Sequence, residues 1–184
     1  MTTTTASSGT ATTWTIDPAH TQVGFEVKHM MFAKVRGRFT DVEGTLRIGP
    51  TFEDSTASVT IRSRSIDTGQ AQRDAHLRSA DFFDVERFPE LTFNGVSRRN
   101  FDGTLVLAGE LMIREVVRRV ELEVEESGRG TDPWGNERIG FTATATIDRR
   151  DYGLTWNQAL ETGGILVGND IKIVIEVQAV PAES

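Results

Sequence analysis

A repeated alternation of apolar and polar residues is the feature that most constrains what this chain can fold into. Period-two alternation places successive side chains on opposite faces of a β-strand. It runs through residues 21–29, 40–48, 57–64, 91–96, 104–113, 119–125, 138–148 and 171–179, and briefly through 13–17. Each strand then has one apolar face, so that many strands in series must share a single interior.

The connections between these segments favour an antiparallel arrangement. Most are short, Asn100–Gly103 is typical of a hairpin turn, and only two loops, residues 127–137 and 151–170, are long. About eight strands are enough to close a sheet on itself. We therefore predict an all-β fold, a closed antiparallel β-barrel of about eight strands, with a β-sandwich as the alternative.

One long segment, Arg73–Phe93, does not alternate. Its first part belongs to a predicted helix over residues 70–80, which Asp67-Thr68-Gly69 would cap at the N-terminus. The helix has only poor apolar faces, so it must be held by what it covers. With Phe82 and Phe83 as anchors, we predict a helical lid of about residues 70–84 across the mouth of the interior.

Length and composition fit one cysteine-free domain with a polar tail. The chain has 184 residues, and its first thirteen, MTTTTASSGTATT, hold neither the basic nor the apolar region of a secretory signal. We expect residues 1–12 to be disordered, residues 13–181 to form one domain, and the protein to be cytoplasmic. A formal net charge of −7 argues against nucleic acid as a partner.

Three stretches carry a resemblance to a known family. RDAHLRSADFFDVERFPELTF at residues 73–93, HTQVGFEVKHMMFAKVRGRF at 20–39 and RRDYGL…LVGNDIKIVIEV near the C-terminus closely resemble the YceI-like polyisoprenoid-binding family. The resemblance covers Trp14 to Val180. It implies a lipocalin-like barrel whose pore holds a long isoprenoid-tailed amphiphile, and it suggests a homodimer.

This resemblance lets us predict a ligand-binding site with three parts. The apolar tail would lie along Phe25, Val27, Phe93 and Phe141. Leu77, Phe82 and Phe83 would form the lid, with Trp156 on the second long connection. Arg73, His76 and His29 would meet the polar head, because their donor groups suit a phosphate or quinone oxygen.

Catalytic and metal-binding motifs do not stand out in the sequence. The spacings between His20, His29 and His76 match no metal-ligand motif, and no GxSxG elbow is present. We therefore expect a non-enzymatic binder, carrier or buffer of an isoprenoid or similar long-chain lipid, without cofactor or metal, in transient contact with membranes. The alternatives are a structural or stress-response barrel without a stable ligand, and a small enzyme that uses the region of His76 and Arg73.

Overall fold

The alternating segments form β-strands throughout the computed structural model, which describes residues 9–183. Residues 1–8 of the predicted disordered tail lie outside the described residues. The strands are β1 Thr12–Ile16, β2 Gln22–His29, β3 Ala33–Phe39, β4 Val42–Ile48, β5 Thr56–Arg62, β6 Ile66–Asp67, β7 Glu90–Arg99, β8 Leu105–Ile113, β9 Val116–Thr131, β10 Glu137–Asp148 and β11 Val167–Pro181. The α-helix α1 spans Ala71–Arg78, and short 3₁₀ turns lie at Pro18–His20, Phe52–Asp54, Ser63–Ser65 and Arg149–Tyr152.

The strands join into one closed ring. Strand β11 pairs with β2 through its N-terminal part and with β1 through its C-terminal part, so β1 and β2 are two halves of one bent strand. In the same way β3 with β4, and β5 with β6, form two further bent strands beside it. With β7 to β11 this makes eight long strands, each antiparallel to its sequence neighbours, and β11 closes back on the first. The predicted closed antiparallel barrel is confirmed, in place of a sandwich.

Alternate connections of such a barrel lie at opposite ends. We call one end the helix end: it carries residues 30–32, 68–89, 114–115 and 149–166, including α1. The other, the far end, carries residues 49–55, 100–104 and 132–136. The two longest connections of the structure, residues 68–89 and 149–166, therefore both lie at the helix end.

The inward faces are those that the alternation predicted, but they do not fill the interior. Val42, Leu91 and Leu122 are buried among apolar neighbours, as expected for a core. Phe25 and Ile175 also face inward, yet each is only partly buried. An inward side chain that remains accessible borders a void, because a close-packed interior leaves almost no accessible area.

Two local predictions were wrong. Gln70, and not Asp67-Thr68-Gly69, precedes the first turn of α1, and its side chain makes no capping hydrogen bond. Thr68 instead donates to Asp74 inside the helix, through its backbone N–H at 2.9 Å and its hydroxyl. The predicted loop from Ser127 is also too long, since β9 continues to Thr131.

Within residues 9–183, no helix has both the length and the apolar character needed to cross a membrane.

Candidate functional site

A cavity of about 360 Å³ occupies the barrel interior. Its volume lies within the range of small-molecule binding sites, roughly 300–1,000 Å³. The cavity extends from Leu77 and Phe82 at the helix end to Thr51 and Arg129 at the far end. Its wall is almost entirely apolar, because each strand turns its apolar face inward.

Seven of the eleven predicted ligand-binding residues line this cavity. They are Phe25, Val27, Leu77, Phe82, Phe83, Phe93 and Phe141. Four come from the strand walls and three from the segment that contains α1. Their position makes them available to an apolar ligand, and their role in binding stays a prediction.

Aromatic packing closes the helix end. The Phe82 ring, 7% exposed, lies 5.4 Å from the ring of Trp156. The Phe83 ring meets Phe39 of the wall edge-on at 5.7 Å. Leu154, on the connection between β10 and β11, is 5% exposed and also lines the cavity. The lid is thus packed into the barrel end as part of the apolar core.

Among residues 9–183, Arg149 is the one charged residue that lines the cavity at the helix end. Its side chain is buried and donates to four backbone carbonyls: Leu154 and Trp156 at 2.8 Å, Gly168 at 2.9 Å and Val167 at 3.3 Å. Burial lowers the pKa of the guanidinium from its ordinary value. The carbonyls satisfy its donors, so Arg149 fastens the β10–β11 connection to the barrel wall.

The three predicted head-group residues lie outside the cavity wall. Arg73 donates to the hydroxyl and carbonyl oxygens of Thr68, at 2.7 and 2.8 Å. His76 Nε2 lies 2.8 Å from the Asp81 carboxylate, and its ring packs edge-on against Trp156 at 4.6 Å. His29 ends β2, opposite Ala33 and Val167. Neither these three residues nor Trp156 line the cavity; their role in binding stays a prediction.

The far end brings together two charged residues, Glu126 and Arg129, of which strict alternation would turn only Glu126 inward. Gly140 pairs with Gly128 and Phe141 with Glu126, so Ser127 is the extra residue of a β-bulge. The bulge lets Glu126 and Arg129, three apart, share the inward face. Nε of Arg129 donates to Glu126 Oε1 at 2.7 Å, and this bond raises the pKa of the guanidinium. Glycines around Ser127 are the only sequence signal of this irregularity.

Metal-ligating side chains do not cluster in this barrel. Across the described residues, no three His, Asp or Glu side chains converge in a way that could hold a metal ion. The candidate site is therefore the apolar cavity itself, with a closed helix end and a far end that carries an ion pair.

Comparison with known sequences identifies a family and relatives that this chain resembles. The sequence model of the family described as the YceI-like domain matches residues 14–179. A UPF0312 protein from Staphylococcus aureus strain MSSA476 is 37% identical over 166 residues, which cover 88% of this chain and 93% of that protein. A UPF0312 protein from strain N315 gives the same identity and coverage.

Solved structures share the barrel. A YCEI protein from Campylobacter jejuni superposes with a TM-score of 0.70 at 32% identity, over 91% of this chain and 96% of that one. BcnA from Burkholderia cenocepacia reaches 0.76 at 19% identity, over 89% and 98%. A polyisoprenoid binding domain from Saccharophagus degradans reaches 0.64 at 15% identity, over 92% and 98%. At these low identities the last two structures share the fold with this chain.

Proposed function

The chain belongs to the YceI-like domain family, and from that premise we propose that it binds a long-chain isoprenoid or similar amphiphilic lipid inside its barrel. It carries or buffers this lipid and does not transform it. One observation supports the proposal above all others, namely the continuous apolar cavity where a packed core would otherwise stand.

The shape and chemistry of the cavity suit an apolar tail. In the described part of the chain, only three lining residues are charged, Glu126, Arg129 and Arg149, and Arg149 is already bonded to backbone carbonyls. A lipid tail is about as well solvated in a bilayer as against such a wall, so transfer between the two is nearly balanced. This balance suits a protein that takes up and releases its ligand reversibly.

The isoprenoid class is the finer part of the proposal. The protein from Saccharophagus degradans is described as polyisoprenoid-binding, and it shares the barrel fold with this chain. Homodimer formation, membrane contact and a cytoplasmic location stay predictions.

The geometry near His76 and Arg73 does not favour the enzymatic alternative. His76 pairs with Asp81 and packs against aromatic rings, while Arg73 is bonded to Thr68. Neither side chain lines the cavity in which a substrate would lie. The contacts of His76 and Arg73, and their position outside the cavity lining, therefore favour a binding protein over an enzyme.

Blocking the cavity tests the proposal. Ala143 faces inward from β10 and lines the cavity, so Ala143→Phe fills the tunnel with a ring. Protein purified without detergent is extracted with organic solvent, and the extract is analysed by mass spectrometry. We expect stoichiometric lipid from the wild type and almost none from Ala143→Phe.

The matched control is Thr142→Phe, which adds the same ring on the outer face of the same strand. It is expected to keep the lipid content of the wild type. A wild-type protein that yields no lipid and takes up no isoprenoid would overturn the proposed function. Equal lipid content in both variants would show that the lipid does not bind in the cavity.

A further inference from the structure

The two ends of the cavity differ in how they are closed. At the helix end, Phe82, Leu154 and Arg149 line the cavity and are all buried. At the far end, Thr51, Thr56, Glu126 and Arg129 line it and are all exposed. Leu77 and Phe83 at the helix end are half-buried, so the exposed part of the cavity lining lies at the far end, away from α1.

The polarity of the wall changes in the same direction. Apart from Arg149, the polar and charged residues that line the cavity all lie in the half of the barrel next to the far end. They are Thr21, Thr51, Ser55, Thr56, Ser97, Glu126 and Arg129. The wall next to the helix end is otherwise apolar. A ligand with an apolar tail and a polar head matches this gradient in one orientation, with its tail towards α1.

The ion pair at the opening offers a contact for the head. Glu126 and Arg129 share the inward face because of the bulge at Ser127. Their side chains are 40% and 56% exposed and are joined by two hydrogen bonds of 2.7 and 3.3 Å. A guanidinium presents several donors in one plane, and it can bond a ligand oxygen while it keeps a carboxylate partner.

Exposed apolar side chains do not decide between the ends. Met31 and Phe32 protrude at the helix end, while Phe101 and Trp134 protrude at the far end. The orientation therefore rests on the exposure and polarity of the cavity lining.

We propose that the far end is the port of the barrel, through which the lipid enters tail first, and that Arg129 with Glu126 contacts its oxygen-bearing head. This inference rests on the proposed function and adds the direction of loading and the residues at the head. It opposes a head-group site at Arg73 and His76, since these residues lie at the closed end.

Single cysteines test the orientation, because the natural chain contains none. Thr51→Cys places a thiol at the far end, and His76→Cys is its counterpart at the helix end. Each variant is treated with a maleimide whose nitrogen carries a geranylgeranyl chain, and with N-ethylmaleimide as the reagent without a tail. Binding raises the local concentration of the maleimide head only where the head lies.

We expect Thr51→Cys to react about tenfold faster or more with the prenylated reagent than with N-ethylmaleimide. His76→Cys is expected to show no such preference. A preference at His76→Cys alone would reverse the orientation and overturn the inference. No preference at either site, in delipidated protein that still takes up geranylgeraniol, would overturn it too and leave the proposed function standing.

A second measurement tests the head contact directly. Affinities for geranylgeraniol and for the corresponding hydrocarbon without the hydroxyl are compared in three proteins. Wild type and Arg73→Leu are expected to prefer the alcohol several-fold, while Arg129→Leu loses this preference. A preference that survives in Arg129→Leu but disappears in Arg73→Leu would refute the assignment.

Discussion

Asp132 organises the turn between β9 and β10. Its Oδ1 accepts from the backbone N–H groups of Trp134 and Asn136, at 3.0 and 2.9 Å. Its Oδ2 accepts from the Asn136 amide at 3.1 Å and from Arg138 Nε at 3.2 Å. These bonds, above all the backbone bond from Asn136, lower the pKa of Asp132 from its ordinary value to about 2.

This shift predicts a specific acid sensitivity. The carboxyl is held ionised in the folded protein and protonates near its ordinary pKa of 3.8 when the chain unfolds. Its contribution to stability is therefore complete above about pH 4 and is lost as the pH falls towards 2. We expect Asp132→Asn to be less stable than the wild type at neutral pH, and to lose less further stability between pH 4 and 2. Urea unfolding at a series of pH values measures both slopes, and equal slopes would contradict the prediction.

The ion pair of Glu126 and Arg129 could not be predicted from the alternation of residue types along the strand. Strict alternation gives residues 126 and 129 opposite faces, and only an inserted residue returns them to one face. Glycines at 128 and 130 indicated an irregularity and were interpreted as a loop. A pattern of period two therefore could not predict that Glu126 and Arg129 lie together on the inward face.

The connection between β10 and β11 depends on one buried side chain. Arg149 bonds the carbonyls of Leu154 and Trp156 within the connection, and those of Val167 and Gly168 where β11 begins. It thereby ties an irregular stretch to the barrel, at the end that the lid closes. Removing the guanidinium takes this donor from the buried carbonyl of Leu154 and from the partly buried carbonyls of Trp156 and Gly168, whereas the Val167 carbonyl keeps the Asn157 amide as a donor.

Arg149→Met keeps an unbranched side chain and removes the donors. We expect a loss of about 3 kcal/mol or more in the free energy of unfolding, because each unsatisfied buried group costs roughly 1–3 kcal/mol. Hydrogen exchange should accelerate across residues 154–168. Arg150→Met is the matched control, since Arg150 is exposed and pairs with Asp148 at the surface, and its loss should be much smaller. Similar losses in the two variants would show that the carbonyl bonds do not hold the connection.

The alternation of apolar and polar residues predicted the strands well, because each strand of the barrel wall has one face towards the interior and one face outside. Residues such as Val42, Phe93 and Leu111 face inward as their alternation indicated. The sequence also indicated α1 correctly, but not its first turn, since Asp74 accepts from Thr68 across a turn that capping rules do not describe. Counting the connections between strands would have placed residues 68–89 and 149–166 at one end, which is a signal that alternation alone does not use.

The barrel as a whole combines a closed wall with a centre that is only partly filled. Each of the eight long strands pairs on both sides around the ring, with β11 joined to β10, β2 and β1. The cavity, however, leaves wall residues such as Phe25 and Ile173 without packing partners on one side. Wall atoms at a void lose dispersion contacts, which a tail along the cavity would restore.

Loading should therefore raise the thermal stability of the whole molecule. A ligand that binds only the folded state, at a hundred times its dissociation constant, stabilises it by about 2.7 kcal/mol. For a domain of this size, that corresponds to an increase in Tm of about 5 to 10 °C. Delipidated protein reloaded with geranylgeraniol should show this increase in differential scanning calorimetry. Ala143→Phe, whose new ring occupies the cavity, should melt at the same temperature with and without the isoprenoid. An equal increase in wild type and Ala143→Phe would mean that the lipid stabilises the protein from outside the barrel.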